Sequence, residues 1–195
     1  MLETFVRNFA EAMRAVDQER PQAIGRRGRK FKPGIGPHSE PHAVEVTARR
    51  MLEQHPLRYS TLRTPVYYPG SRKTCDLYWG DDQPWAIEVK MIRFRGDNGA
   101  LADLSVQDIL SPFEDDHSAI GDCLKLASSG FAGQKAALIY AFDDPVRPVA
   151  RLLDAFEVLA RHYVRLGPRH ESRMNGLVHP VHASGSVIGW EVLTR

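Results

Sequence analysis

Apolar residues recur at helical spacing in the first twenty positions: Phe5, Phe9, Ala12, Met13 and Val16 share one side of a helix predicted over residues 2–19. A second helix is predicted to start at Ser39, a good capping residue, with Pro41 in its first turn. It runs to about Gln54 and buries Val44, Ala48 and Met51. The β-branched and aromatic run 59–68 reads as a strand ended by Pro69 and Gly70. Strands are also predicted near 73–79 and 85–92, and the five residues between them make a hairpin loop. Further on come a helix over 117–129 stopped by Gly130 and Gly133, a buried strand over 136–142 and an amphipathic helix over 149–166. Two final strands, 176–183 and 187–193, turn at Ser184 and Gly185. This order predicts an α/β protein with a central mixed β-sheet flanked by α-helices.

The hairpin fixes its own register. With a loop over 80–84, Trp79 stands opposite Trp85 and Asp76 opposite Glu88. Side chains alternate along a strand, so Cys75, Leu77, Trp79, Trp85, Ile87 and Val89 share an apolar face. Asp76, Tyr78, Ala86, Glu88 and Lys90 share the other. A slip of one residue would bury the charges, which supports this register. Two carboxylates directly opposite in an antiparallel pair repel each other. A divalent cation with oxygen ligands between them, or more weakly Lys90, relieves that repulsion; a wet amphipathic hairpin that screens it is the plain alternative.

Composition adds limits more than direction. A chain of 195 residues, 43% apolar and 26% charged, suits one domain with appendages. The division expected is an N-terminal helix and basic linker over 1–36, then an α/β domain over 37–195. The formal charge is only +2, but its distribution is uneven. The linker carries Arg20, Arg26, Arg27, Arg29, Lys30 and Lys32, with no acid between Glu19 and Glu40. Such a basic arm suits a phosphate backbone, and equally a solvated loop. Residues 96–122 hold seven acids and no Lys or Arg, so much of this stretch is expected to be a mobile loop. Glu114, Asp115 and Asp116 sit where acids favour a helix dipole. Cys75 and Cys123 form no CxxC pair, which argues against a disulfide scaffold or a cysteine zinc site. No stretch of 18 apolar residues exists, so no membrane association is expected and the compartment expected is the cytoplasm.

The acid–x–Lys triplet at Glu88 and Lys90 has little specificity alone; its setting on a strand opposite Asp76 gives it weight. Asp76, then Glu88, Val89 and Lys90 on the next strand, resemble the PD-(D/E)xK nuclease superfamily, which has the restriction endonuclease-like fold. The surrounding "TCDLYW", "WAIEVK", "IGDCLKLASSG" and "KAALIYAF" agree, and the resemblance covers roughly residues 37–142. Cys75 stands where the name-giving proline would be. The resemblance implies a metal-dependent nuclease, with DNA ahead of RNA as substrate. Asp76, Glu88 and the Val89 carbonyl would ligate Mg²⁺, or Mn²⁺ in its place, with Glu40 directly or through water; Glu45 is the alternative upstream acid. The metal would polarise the scissile phosphate and activate water. Lys90 would orient or deprotonate that water, or stabilise charge on phosphorus. Lys125 would reach the phosphate from one side. A homodimer, with the first helix at its interface, would suit double-strand cutting.

Two other readings stay open. One is a non-catalytic nucleic-acid-binding or assembly module with the same fold. The other is a zinc hydrolase using His38, His42 and Glu45. His179 and His182, three apart on a predicted strand, would point to opposite faces, and Arg161, Arg165, Arg169 and Arg173 could extend a nucleic-acid surface.

Overall fold

The computed structural model describes residues 1–102, 106–113 and 116–193, apart from the Arg26 side chain. Glu114 and Asp115, two of the three acids assigned to the helix dipole, lie outside the described residues. Helices α1 (Leu2–Gln18) and α2 (Glu40–Gln54) and the short α3 (Pro56–Tyr59) come first. Strands β1 (Val66–Tyr67), β2 (Thr74–Cys75), β3 (Leu77–Trp79) and β4 (Trp85–Ile92) follow. Then come α4 (Gln107–Leu110), α5 (Ala119–Ser128), β5 (Gln134–Phe142), α6 (Val149–Tyr163), β6 (Arg165–Leu166), β7 (His170–Asn175) and β8 (Ser184–Leu193). The main sheet runs β3-β4-β5-β8-β6, with β7 also on β8. Among the described residues, only the β4–β5 pair of this sheet is parallel. The central mixed sheet flanked by helices is therefore present.

Each face of the sheet has its own core. Phe5, Phe9 and Met13 of α1 and Val44 and Met51 of α2 pack with Leu77, Ile87, Val89, Leu138 and Tyr140. Full burial of each large apolar side chain contributes roughly 1.5–3 kcal/mol, so the α1 stripe anchors that helix to the sheet. Gly189 in β8 permits the close approach: a Cβ there would stand 2.7 Å from Val6 Cγ2. On the opposite face, α5 and α6 supply Ile120, Cys123, Leu126, Leu153 and Phe156, which pack with Ala86, Ile92, Ile139, Ile188 and Trp190.

Several expectations need correction. The run 59–68 is not one strand. Pro56 opens α3, Arg63 makes a single bridge to Tyr78, and only Val66 and Tyr67 pair with β2. Over β3 the hairpin register is as expected, with Leu77 opposite Ile87 and Trp79 opposite Trp85, but the ladder stops short of the expected Asp76–Glu88 pair. However, the chain bends at Asp76, between β2 and β3. That bend carries Cys75 to the α5 side, with Tyr68 and Ala86, rather than the face of Leu77 and Trp79. Ser39 occupies the N-cap position of α2 but makes no side-chain capping bond. Part of the acidic stretch is ordered: α4 lies within it, and α5 is capped by Ser118, whose hydroxyl accepts from Gly121 N at 3.0 Å.

At the C-terminus, 176–183 is a loop and the strand before it is β7, whose polar sequence escaped the apolar pattern because it lies at the sheet edge. His179 and His182 therefore stack, with ring centroids 4.5 Å apart, instead of pointing to opposite faces. The basic linker is not a free arm. Phe31 N donates to Ala23 O and Gly34 N to Pro21 O, closing it into a loop. The buried Asp17 carboxylate accepts from Ile35 N at 2.8 Å and Val178 N at 2.6 Å, tying the linker to the 176–183 loop.

Candidate active site at the open edge of β4

The site begins with a departure. Beyond Ile87, β3 no longer covers β4, because the chain turns away at Asp76. Amides on that edge would be orphaned, and a buried orphan N–H costs as much as a lost hydrogen bond. Carboxylates take the missing strand's place. Asp76 Oδ2 accepts from Val89 N at 2.7 Å, and Glu40 Oε2, from the first residue of α2, accepts from Met91 N at 2.5 Å. A strand residue's N–H and C=O leave the same edge, so the Val89 carbonyl also faces the side where Asp76 stands.

Glu88 and Lys90 project from the α5 face of β4. The hairpin's polar face is thus covered, not wet, and Glu88 is only 4% exposed. Tyr68 donates its hydroxyl to Glu88 Oε1 at 2.5 Å. From α5, Lys125 Nζ lies 3.4 Å from Glu88 Oε1 and 2.5 Å from Asp122 Oδ1. Lys90 Nζ bridges Asp122 Oδ2 at 3.1 Å and Glu40 Oε1 at 3.6 Å. Four carboxylates (Glu40, Asp76, Glu88 and Asp122) thus share two ammonium groups.

That imbalance shows in the proton affinities. Burial, then the charges of Asp122 and Asp76, push Glu88 up to about 9, against the pull of Lys125. Burial raises Glu40 to about 7, with Lys90 opposing and Asp76 adding to the rise. Burial disfavours charge on Lys90, yet Asp122 and Glu40 more than offset it and hold the ammonium protonated. Lys125 is raised in the same way, by Asp122 and Glu88 against burial. Burial and the adjacent Glu88 keep the Tyr68 phenol protonated.

The structure thus brings Glu40, Asp76, Glu88, Val89, Lys90 and Lys125 together. Glu45 stands apart from the lysines: it lines a groove beside Asp76, but its carboxylate is half-exposed and bonded to Arg49 at 3.1 Å. Asp122 and Tyr68 belong to the cluster and escaped the sequence reading. The available signal was that Asp122 and Lys125, three apart, are the only charges in the otherwise apolar α5.

In the linker loop, Arg29 pairs with Asp97 at 3.6 Å and lies over Phe31, and the Lys32 amide donates to Asp97 at 2.7 Å. Arg27 and Lys30 are exposed there, and the Arg26 side chain lies outside the described residues. The loop borders a cavity of about 520 Å³ with His38, Ser39 and His42, adjoining the start of α2 where Glu40 sits. His38 and His42 stack at 4.8 Å, but Glu45 is engaged elsewhere and the zinc set has no third ligand among the described residues.

Among the described residues no group of three or more His, Cys, Asp or Glu is arranged to hold a metal ion. Mg²⁺ does not need one: it is commonly bound through one or two carboxylates, waters and substrate phosphate. The donor set here is all oxygen, with carboxylates in excess of cations, which suits such an ion. No helix among the described residues is long and apolar enough to cross a membrane. No family model, characterised protein or solved structure matches this chain.

Proposed function

We propose that this chain is a divalent-metal-dependent nuclease with a restriction endonuclease-like fold, hydrolysing phosphodiester bonds in DNA ahead of RNA. One observation carries the reading: a buried surplus of carboxylates at an uncovered strand edge, set against two lysines. Groups with strongly perturbed proton affinity, held together in a buried cluster, concentrate at functional sites. Asp76, Glu88 and the Val89 carbonyl would hold Mg²⁺, or Mn²⁺ in its place, with Glu40 beside them. When bound, the ion supplies charge neutralisation for the scissile phosphate and acidifies water.

The chain's own residues have distinct tasks. Lys90, held charged by Asp122 and Glu40, donates to a phosphate oxygen and stabilises charge in the transition state. Asp122 positions Lys90 and Lys125 by gripping both ammonium groups. Tyr68 orients Glu88 through its hydroxyl. Arg27, Arg29, Lys30 and Lys32 would meet the phosphate backbone beside α2.

A second reading, a non-catalytic nucleic-acid-binding module with this fold, draws on a different observation: Lys90 and Lys125 already contact three of the four carboxylates. The test is to incubate the protein and its Lys90→Ala variant with supercoiled plasmid, single-stranded DNA and RNA, in Mg²⁺, Mn²⁺ or EDTA. Cleavage that needs metal and drops at least a hundredfold in the variant supports the nuclease. Salt-sensitive binding without cleavage of any substrate supports the second reading. Cleavage unchanged in the variant removes this cluster as the active site.

A further inference from the structure

Lys125 belongs to two environments. Its ammonium contacts Glu88 and Asp122, and its side chain also lines a cavity of about 590 Å³. One wall of that cavity is α5, through Leu124, Lys125 and Ser128. Arg72, Lys73 and Thr74, at the entry to β2, form another wall. The volume lies within the roughly 300–1,000 Å³ of small-molecule sites. Its lining combines two kinds of chemistry. Arg72, Lys73 and Lys125 offer donors and charge to phosphate oxygens, while Leu124 and Pro112 offer apolar surface to a planar base. The groove on the Asp76 side instead carries carboxylates, Asp76 and Glu45. Of these two openings, the one on the Lys125 side is the more favourable for a phosphate group.

We infer that this cavity holds one unpaired nucleotide of the substrate strand, its phosphate on Arg72, Lys73 and Lys125 and its base against Leu124 and Pro112. The inference rests on the nuclease reading of the adjoining carboxylates. A cavity of about 590 Å³ is of small-molecule size, so it accommodates one nucleotide and not the body of a duplex. The enzyme thus engages single-stranded DNA or a frayed end in preference to an intact duplex.

Binding in EDTA tests this without cleavage. Anisotropy is read with a labelled single-stranded oligonucleotide and with a blunt duplex of the same sequence. The wild-type protein is expected to bind the single strand at least tenfold more tightly. Thr74→Trp, which fills the cavity from an exposed strand position, is expected to weaken single-strand binding about tenfold and leave duplex binding unchanged. Ser128→Trp fills it from α5 and is expected to do the same, so a folding fault in one variant, read by thermal melting, is not decisive. Arg72→Ala is expected to lower the slope of log K against log salt by about 0.7 for the single strand.

Both filling variants binding as tightly as the wild type would overturn the inference, as would a preference for the duplex. Unchanged binding by the filled variants alongside metal-dependent wild-type cleavage overturns the pocket and leaves the nuclease standing. Weakened binding with no cleavage of any substrate supports the pocket and overturns the nuclease.

Discussion

Two buried acids, Asp144 and Glu88, have opposite fates. Asp144, just past β5, accepts from Arg95 Nε at 2.5 Å, Val146 N at 2.9 Å and Arg147 N at 2.8 Å. Burial pushes its carboxyl up, but these donors more than offset it and bring it below the usual aspartate value. Glu88 has Tyr68 and Lys125 as partners and two further carboxylates as neighbours, and it is pushed up to about 9. Both side chains are shielded from solvent, but Glu88 lies deeper in the fold and burial is the largest cause of its rise. The rest of the difference is whether donors outnumber charges. Where they do, a buried acid reinforces the fold; where they do not, the repulsion is relieved by taking up a proton or by a further cation. On the proposed reading, a divalent ion takes that role in the Glu88 cluster.

Breaking each side of this comparison should give different losses. The largest effect is expected from Lys90→Ala: metal-dependent cleavage should fall by 10²–10³ or more, the scale of losing one preorganised charge at a transition state. Circular dichroism should show the fold retained when Mg²⁺ is present. Asp144→Ala should do the reverse. It leaves Arg95 Nε and two amides without their acceptor, so chemical denaturation should report a loss of about 3–5 kcal/mol. Cleavage per folded molecule should stay within twofold.

Glu88→Gln sharpens the contrast through pH. A carboxyl raised from 4.5 to about 9 binds its proton more tightly in the folded state. The stability that this carboxyl contributes is therefore fully present below about pH 4.5 and is lost progressively as pH rises toward 9. The Gln variant has no such proton to lose. In EDTA at pH 8 it should be more stable than the wild type by on the order of 1–3 kcal/mol, with a flatter stability–pH curve, and in Mg²⁺ it should not cleave. The smallest effect belongs to Glu45→Ala. Its ion pair with Arg49 is half-exposed, so stability should move by less than about 0.5 kcal/mol and cleavage should persist. A loss of cleavage there would transfer the upstream role from Glu40 to Glu45.

What was legible in the sequence follows from what alternation and spacing encode. The β3–β4 register could be read because a short loop and a period of two leave one solution. The apolar stripes of α1 and α2 could be read for the same kind of reason. Cys75 was placed on the wrong face because alternation assumes a continuous strand, and the bend at Asp76 breaks it. That bend is also what frees the Val89 amide for Asp76, so the error and the site share one cause. β7 was missed because an edge strand needs little apolar sequence; only Met174 of its six residues is buried. Asp122 was missed because an acid in a helix's first turn has an ordinary explanation in the helix dipole. Only the packing of α5 over β4 brings it beside Lys90.

The central claim is that the carboxylate surplus at Asp76 and Glu88 binds a divalent ion. The most direct measurement is calorimetric titration of Mn²⁺ at pH 8 into the wild type, Asp76→Asn, Glu88→Gln and Glu45→Gln, each with and without a short DNA strand. Saturable binding is predicted for the wild type and Glu45→Gln, strengthened by DNA and weakened at least tenfold in Asp76→Asn and Glu88→Gln. Equal binding in all four proteins, or none in the wild type even with DNA present, would contradict the account.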